Sequence, residues 1–254
     1  MSIQSPEDLA GLQAIGRIVA LTLQAMARAV RPGITTAELD LTAARELERW
    51  GAESSPALVY GFPGASCISL NSQVVHGVPS LDATVKAGDL VKLDLTAQKN
   101  GYVADAAVTV AVPPAGLTAR RLAECAQSAF ERGRSAAKAG NRISAIGRAV
   151  EKEVHSCGFE VLRQWCGHGV GRTIHEAPEV PNFEDRHNPA ELNEGLVITI
   201  EPIITAGIDN SYVSGDGWTV VTRDEALSAH YEHTVVITRG GPIVLTAAPQ
   251  AVPL

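Results

Sequence analysis

A chain of 254 residues, 45% of them hydrophobic, can bury a substantial core as one large domain or two small ones. Its 21 basic and 28 acidic residues leave a net charge of −7 with no basic stripe, so direct nucleic-acid binding is not expected. Cys67, Cys125, Cys157 and Cys166 form no C-x-x-C pair, no apolar run approaches the roughly eighteen residues of a membrane span, and the start, Met1-Ser2-Ile3-Gln4-Ser5-Pro6-Glu7-Asp8, is polar and acidic where a signal peptide is basic and then apolar. The expectation is a reduced, cytoplasmic protein with no membrane association, whose cysteines are mostly small buried hydrophobes.

Ser5-Pro6-Glu7-Asp8 has the marks of a helix start, and apolar residues follow at helical spacing to about Val30, with Gly33 as the stop. Thr35-Thr36-Ala37-Glu38 resembles a capping box that opens a second helix to about Trp50. Residues 57–112 carry short β-branched runs, broken at Gly61-Phe62-Pro63-Gly64 and Lys99-Asn100-Gly101, and predict antiparallel sheet. Two more helices are expected over 118–139 and from Ile143 to about Cys157, both ending at glycines. Strand signals return over 196–205, 218–222 and 229–238, and 246–254 reads as a loose tail. Helices, sheet, helices, sheet is the order of a single α+β domain with two similar halves.

Within the first sheet, Val91-Lys92-Leu93-Asp94-Leu95-Thr96 alternates, which turns Lys92, Asp94 and Thr96 away from the apolar face. The Lys99-Asn100-Gly101 turn can fold Asp105 back onto the same patch, inside Val103-Ala104-Asp105-Ala106-Ala107-Val108, where a carboxylate among small apolar residues needs a cation or hydrogen-bond donors. Glu201 ends the apolar strand Leu196-Val197-Ile198-Thr199-Ile200, and Glu232 opens another before His233-Thr234-Val235-Val236. His168 and His175 stand seven positions apart in Gly167-His168-Gly169-Val170-Gly171-Arg172-Thr173-Ile174-His175, where glycine lets backbone approach a ligand closely. Any one of these residues alone reads as an ordinary structural group. Four strand-borne acids with one imidazole make an oxygen-rich set suited to a pair of divalent ions such as Mn, Fe or Co.

The stretches VVHGVP ending at Pro79, KLDLTAQKNGYVAD ending at Asp105, GHGVGRTIHEAP from Gly167, ITIEP ending at Pro202, GDGWTVVT from Gly215, and SAHYEHTVVIT ending at Thr238 together resemble the methionine aminopeptidases. That family shares the pita-bread fold with aminopeptidase P, prolidase and creatinase. The resemblance implies this α+β pita-bread fold, with two pseudo-symmetric halves. It also implies two divalent ions per chain (Co, Mn, Fe or Zn) held by Asp94, Asp105, His168, Glu201 and Glu232. Asp105 and Glu232 would serve both ions, Asp94 one, and His168 with Glu201 the other. His76 and His175 match the family's two histidines beside the scissile peptide that bind no metal. Glu201 would carry the proton from water to the leaving nitrogen and His175 would stabilise the oxyanion.

Phe62, Cys67 and Trp218 match pocket positions, while Val59 and Ile174 stand where many relatives have aromatic rings, which implies a wider or softer pocket. Asn71 and Ser228 resemble positions near a monovalent cation. The gap of 31 positions between Glu201 and Glu232 leaves no room for the type II insertion and so resembles type I, in its short bacterial form. The implied activity is removal of the first methionine from nascent polypeptides and peptides whose second residue is small, by a monomer with transient ribosome contact. Two alternatives are a same-fold peptidase for a different N-terminal residue and a non-enzymatic module binding protein or RNA. His155 and His187 read as surface groups, and alternation turns His233 away from Glu232 as a packing residue.

Overall fold

The computed structural model describes residues 1–247. Ser5 caps α1 (Pro6–Ala29) by accepting the Asp8 N–H, with Glu7 and Asp8 in the electropositive first turn. The helix stops at Val30 rather than at Gly33, because Pro32 disfavours helical geometry in the residue before it. A complete capping box of Thr35 and Glu38 opens α2 (Thr36–Trp50), and Gly51 closes it in the left-handed conformation.

After β1 (Glu53–Ser54) comes α3 (Ser55–Tyr60), six helical residues where sheet is expected from residue 57. Pro56 suits its first turn and Gly61, at φ 72, ends it. Strands β2 (Cys67–Leu70), β3 (Leu90–Lys99) and β4 (Tyr102–Ala111) follow, the last two joined by Asn100 and Gly101 at positive φ, the two-residue turn of a hairpin. Helices α4 (Leu117–Ala136) and α5 (Ser144–Ser156) fall within three residues of expectation. The second half of the sheet structure comprises β5 (Glu160–Val161), β6 (Cys166–Gly169), β7 (Glu176–Pro181), β8 (Val197–Ile200), β9 (Ile203–Thr205), β10 (Ser211–Val213), β11 (Val220–Thr222), β12 (Ser228–His230), β13 (Glu232–Val236) and β14 (Ile243–Val244).

One antiparallel sheet, in the order β1-β3-β4-β13-β8-β6-β7, runs through both halves, with β2 added on β3 and β14 on β13. Each half packs two helices on it. In the first, Ile15, Val19 and Leu39 of α1 and α2 meet Val91, Leu93 and Leu95. In the second, Leu122, Phe130, Ile146 and Val150 of α4 and α5 meet Ile198, Ile200 and Val235. An eighteen-residue window of α1 reaches a mean hydropathy of 1.4, long and apolar enough to cross a membrane, which corrects the expectation that no segment comes near a span. Half of that window is buried in the fold, and α1 packs chiefly on β4, α2 and β3.

The expected strands at 196–205 and 229–238 are each broken once. Glu201-Pro202 separates β8, in the large sheet, from β9 in a three-stranded sheet β12-β9-β5, and Tyr231 separates β12 from β13 in the same way. Glu201 and Glu232 therefore stand where the chain passes between the two sheets. The tail is anchored at its expected first residue: Thr246 is buried, its hydroxyl accepting the Thr234 N–H at 3.2 Å. The remainder of that expectation, 248–254, lies outside the described residues.

Candidate metal centre

Strand register assembles the acids. Asp94 on β3 stands opposite Ala107 on β4, and Ala107 stands opposite Glu232 on β13, so the two acids flank one small side chain in a single row across the sheet. Thr96 pairs with Asp105 one step along the hairpin, and its hydroxyl donates to Asp105 Oδ2 at 2.8 Å. Side chains two residues apart share a face, so Asp94, Thr96, Asp105 and Glu232 all point away from the helices. The register that pairs His233 with Ile200 brings Glu201 in opposite Glu232.

His168 lies on strand β6, whereas His175 lies in the loop before β7, so the two do not share one loop as their spacing suggests. Glycines flank His168 because the neighbouring strands come too close for a side chain. A Cβ at 167 would sit 2.6 Å from the Thr199 carbonyl oxygen, and one at 169 would sit 2.2 Å from that of Ala177. The imidazole is held in one tautomer: Nδ1–H donates to the Gly169 carbonyl at 2.9 Å, which leaves the Nε2 lone pair directed at Glu201 Oε2 (3.6 Å) and Asp105 Oδ2 (3.9 Å). The Thr199 hydroxyl accepts the His168 N–H at 2.9 Å and donates to Glu201 Oε2 at 2.5 Å, tying ligand and acid together.

Electrostatically the cluster is unstable as it stands. Burial, opposed by Thr96, raises Asp105 to about 6, and burial raises Glu201 to about 8. Asp94 and Glu232 are driven well above the carboxylate range by burial and by repulsion from the other acids. Burial lowers His168, keeping it neutral. Asp105 Oδ1 and Glu232 Oε1 are buried with no hydrogen-bond partner among the described residues. Asp105, His168 and Glu232 each offer a ligand atom within 4.8 Å of the others. Neutral imidazole, partnerless carboxylate oxygens and mutual repulsion are what a divalent cation resolves, so the donor set fits a metal site.

All five expected ligands, with His76, His175, Phe62, Cys67 and Trp218, line one cavity of about 120 Å³. Phe62 and Trp218 meet edge to face at 5.3 Å, forming an apolar wall with Cys67 and Ile174. Val59 is exposed and does not line the cavity. His76 stands at φ 57 in the left-handed region, edge-on to Trp165, and burial lowers it to about 4. His175 Nδ1 lies 2.7 Å from the Tyr60 hydroxyl, and its ring centre is 4.3 Å from that of His168.

Tyr60 and His230 are cavity residues that the sequence reading does not assign to the site. Tyr60 ends a helix that reads as strand and meets a histidine 115 positions away, so nothing local signals it. His230 carries a usable sign: it lies two residues before Glu232, on the same side by alternation. It is buried with both ring nitrogens lacking partners among the described residues, and its Nε2 lies 3.6 Å from Glu232 Oε2. By contrast His233 packs edge-on against Phe130 and pairs with Thr246, while His155 and His187 lie at the surface. The expectation of a monovalent cation beside Asn71 and Ser228 is corrected, because the Lys92 ammonium already lies there, 2.7 Å from the Asn71 carbonyl and 3.1 Å from that of Ser228.

Residues 10–239 match metallopeptidase family M24. The chain is 42% identical over 247 residues to methionine aminopeptidase 2 of Bacillus subtilis, covering 97% of this chain and 99% of that one. It is 37% identical to the methionine aminopeptidase of Escherichia coli, covering 97% and 94% respectively. A crystal structure of methionine aminopeptidase from Thermotoga maritima is similar with a TM-score of 0.94 at 32% identity, covering 97% of this chain and 100% of that one. Prolidase from Pyrococcus furiosus is similar at a TM-score of 0.78 and 25% identity over 98% of this chain but only 66% of its own. The two-halved sheet is thus the pita-bread fold, its acid-and-imidazole cluster is that of a metal-dependent peptidase, and the chain belongs to metallopeptidase family M24.

Proposed function

We propose that this chain is a methionine aminopeptidase of type I, removing the N-terminal methionine from proteins and peptides whose second residue is small. The observation that carries this reading is the convergence of five ligand side chains, two further histidines and an apolar wall in one cavity. Asp94, Asp105, His168, Glu201 and Glu232 would hold two divalent ions of the Mn, Fe, Co or Zn class. When bound, these supply an acidified water and polarise the scissile carbonyl.

The chain's own groups do the rest. Glu201, steadied at Oε2 by the Thr199 hydroxyl, is the carboxylate that carries the water's proton to the leaving amide nitrogen. With the Tyr60 O–H donating to His175 Nδ1, the Nε2–H of His175 is free to donate to the oxyanion that forms on the scissile carbonyl. His76, neutral through burial, hydrogen-bonds the peptide on its leaving side. The carboxylates attract the substrate's free α-ammonium. Phe62, Cys67, Ile174 and Trp218 take the thioether side chain, with sulfur against aromatic rings.

The test is cleavage of Met-Ala-Ser, N-acetyl-Met-Ala-Ser and an Xaa-Pro dipeptide by manganese-loaded protein. Release of methionine from the first alone is expected. Preference for the Xaa-Pro substrate would move the chain to another member of the fold.

A further inference from the structure

Among the largest fully buried side chains of the described residues is a lysine, Lys92, at 1% exposure on β3. It points to the same side as Asp94, two residues on. A lysine buried this deeply ordinarily finds a carboxylate. Among the described residues Lys92 has none within salt-bridge distance. Its Nζ donates instead to three oxygens: the Asn71 carbonyl at 2.7 Å, the Ser228 carbonyl at 3.1 Å and the Ser228 hydroxyl at 3.2 Å. That hydroxyl in turn lies 3.1 Å from both the Asn71 and the Gln73 carbonyls, to which it donates.

The cradle is built rather than incidental. Asn71 takes φ 51, its amide donates to Asp89 Oδ1 at 2.9 Å, and its side-chain oxygen accepts the Leu90 N–H at 2.9 Å, which turns its own carbonyl inward. Burial lowers Lys92 to about 7 against the pull of Asp89, while the three acceptors match the three N–H bonds that only the ammonium offers. Uncharged oxygens converging on one buried positive charge form the coordination set of an alkali ion, with the ion supplied by a side chain.

We propose that Lys92 is a built-in monovalent cation, an ammonium tethered where a free potassium or sodium ion would otherwise be needed to hold together the three segments that carry His76, Asp94 and Glu232. Asn71 precedes His76 by five residues, Lys92 precedes Asp94 by two, and Ser228 precedes Glu232 by four. The ammonium thus acts as a positioning group for the metal centre, and the chain's stability and divalent-ion affinity are independent of alkali salts. Only the affinity part rests on the metal-centre reading; the stability part stands without it.

The experiment measures the melting temperature of chelator-treated protein, and manganese affinity by calorimetry, in potassium, sodium and choline chloride at equal ionic strength. Wild-type protein should give the same melting temperature in all three salts, with affinities agreeing within about twofold. Lys92→Ala, which leaves the oxygen cradle open, should melt lower and bind manganese about tenfold or more weakly in choline, and potassium or sodium should restore both saturably. Lys92→Met fills the space without charge and should show losses that no salt repairs. A wild-type protein that potassium stabilises and choline does not would overturn the proposal. So would a Lys92→Ala variant whose losses, including outright failure to fold, are the same in every salt. Salt-restored stability of Lys92→Ala, with a wild-type protein that is salt-independent but binds no manganese, would retain the tethered cation and reject the metal centre.

Discussion

Thr199→Val deletes one hydroxyl from behind the metal centre and keeps the side chain's branched shape. In the structure that hydroxyl has two duties, accepting the His168 N–H at 2.9 Å and donating to Glu201 Oε2 at 2.5 Å. Without it a buried N–H loses its partner, at a cost of about 1–3 kcal/mol. For a domain of this size, about 2 kcal/mol lowers the melting temperature by roughly 4–8 °C. The lost bond also stabilises the charged form of Glu201, so the carboxyl, already raised by burial, rises further. Support for ligands of this kind is worth about 10–100-fold in metal affinity or activity. Calorimetric melting and manganese titration read the first and last effects, and the acid limb of kcat/KM against pH, which should move to higher pH, reads the second. A variant melting within a degree of wild type, with manganese affinity within about twofold and an unmoved acid limb, would refute the coupling of His168 and Glu201 through Thr199.

Glu201→Gln should keep the fold but lower turnover by about three orders of magnitude or more, since an amide cannot carry the proton; near-normal turnover with metal bound would remove that role. Tyr60→Phe should lower kcat about tenfold with metal content unchanged, because His175 loses the partner that fixes its tautomer; an unchanged kcat would show that His175 is oriented by other means. Between about pH 7 and 8 the metal-free protein should lose stability as pH rises. In that window Glu201, raised to about 8, keeps a proton that the unfolded state has released, a slope of about 1.4 kcal/mol per pH unit for such a proton, and Asp94 and Glu232, both driven well above the carboxylate range by burial, act in the same direction. Lys92 is held as the ammonium by its three acceptors against the downward pull of burial and adds little slope, while the histidines His76, His168, His175, His230 and His233, all lowered by burial, oppose around the ordinary histidine value of about 6.5, an effect that fades above about pH 7. Melting curves of chelator-treated and manganese-loaded protein should diverge with pH across the window, and parallel curves would mean that the carboxyls are not proton-loaded without metal.

Much of this site is legible because its information is local. The Ser5 cap, the Thr35–Glu38 box and the Asn100-Gly101 turn are each set within four residues, and the structure forms all three where expected. Period-two alternation alone turns Asp94 off the apolar face, and a hairpin brings Asp105 to it. What escapes depends on distant backbone. The breaks at Glu201-Pro202 and Tyr231 arise from strands changing sheets, which no local pattern encodes, and they leave both glutamates at the junction. Pro56 and Gly61 bracket a helix too short for periodicity to register, and Tyr60 is missed with it. Lys92 falls on the correct face by alternation, yet two of its partners are main-chain carbonyls, from residues 21 and 136 positions away, which carry no residue-type signal.

Asp94, Asp105, His168, Glu201 and Glu232 are proposed to build a two-ion centre beside which His76 and His175 stay free of metal. Anomalous diffraction from crystals soaked in manganese tests it most directly. Two peaks are expected, about 3.5–4 Å apart, ligated by those five side chains, with Asp105 and Glu232 touching both. A single peak at saturating manganese, or an ion bound to His76 or His175, would contradict it.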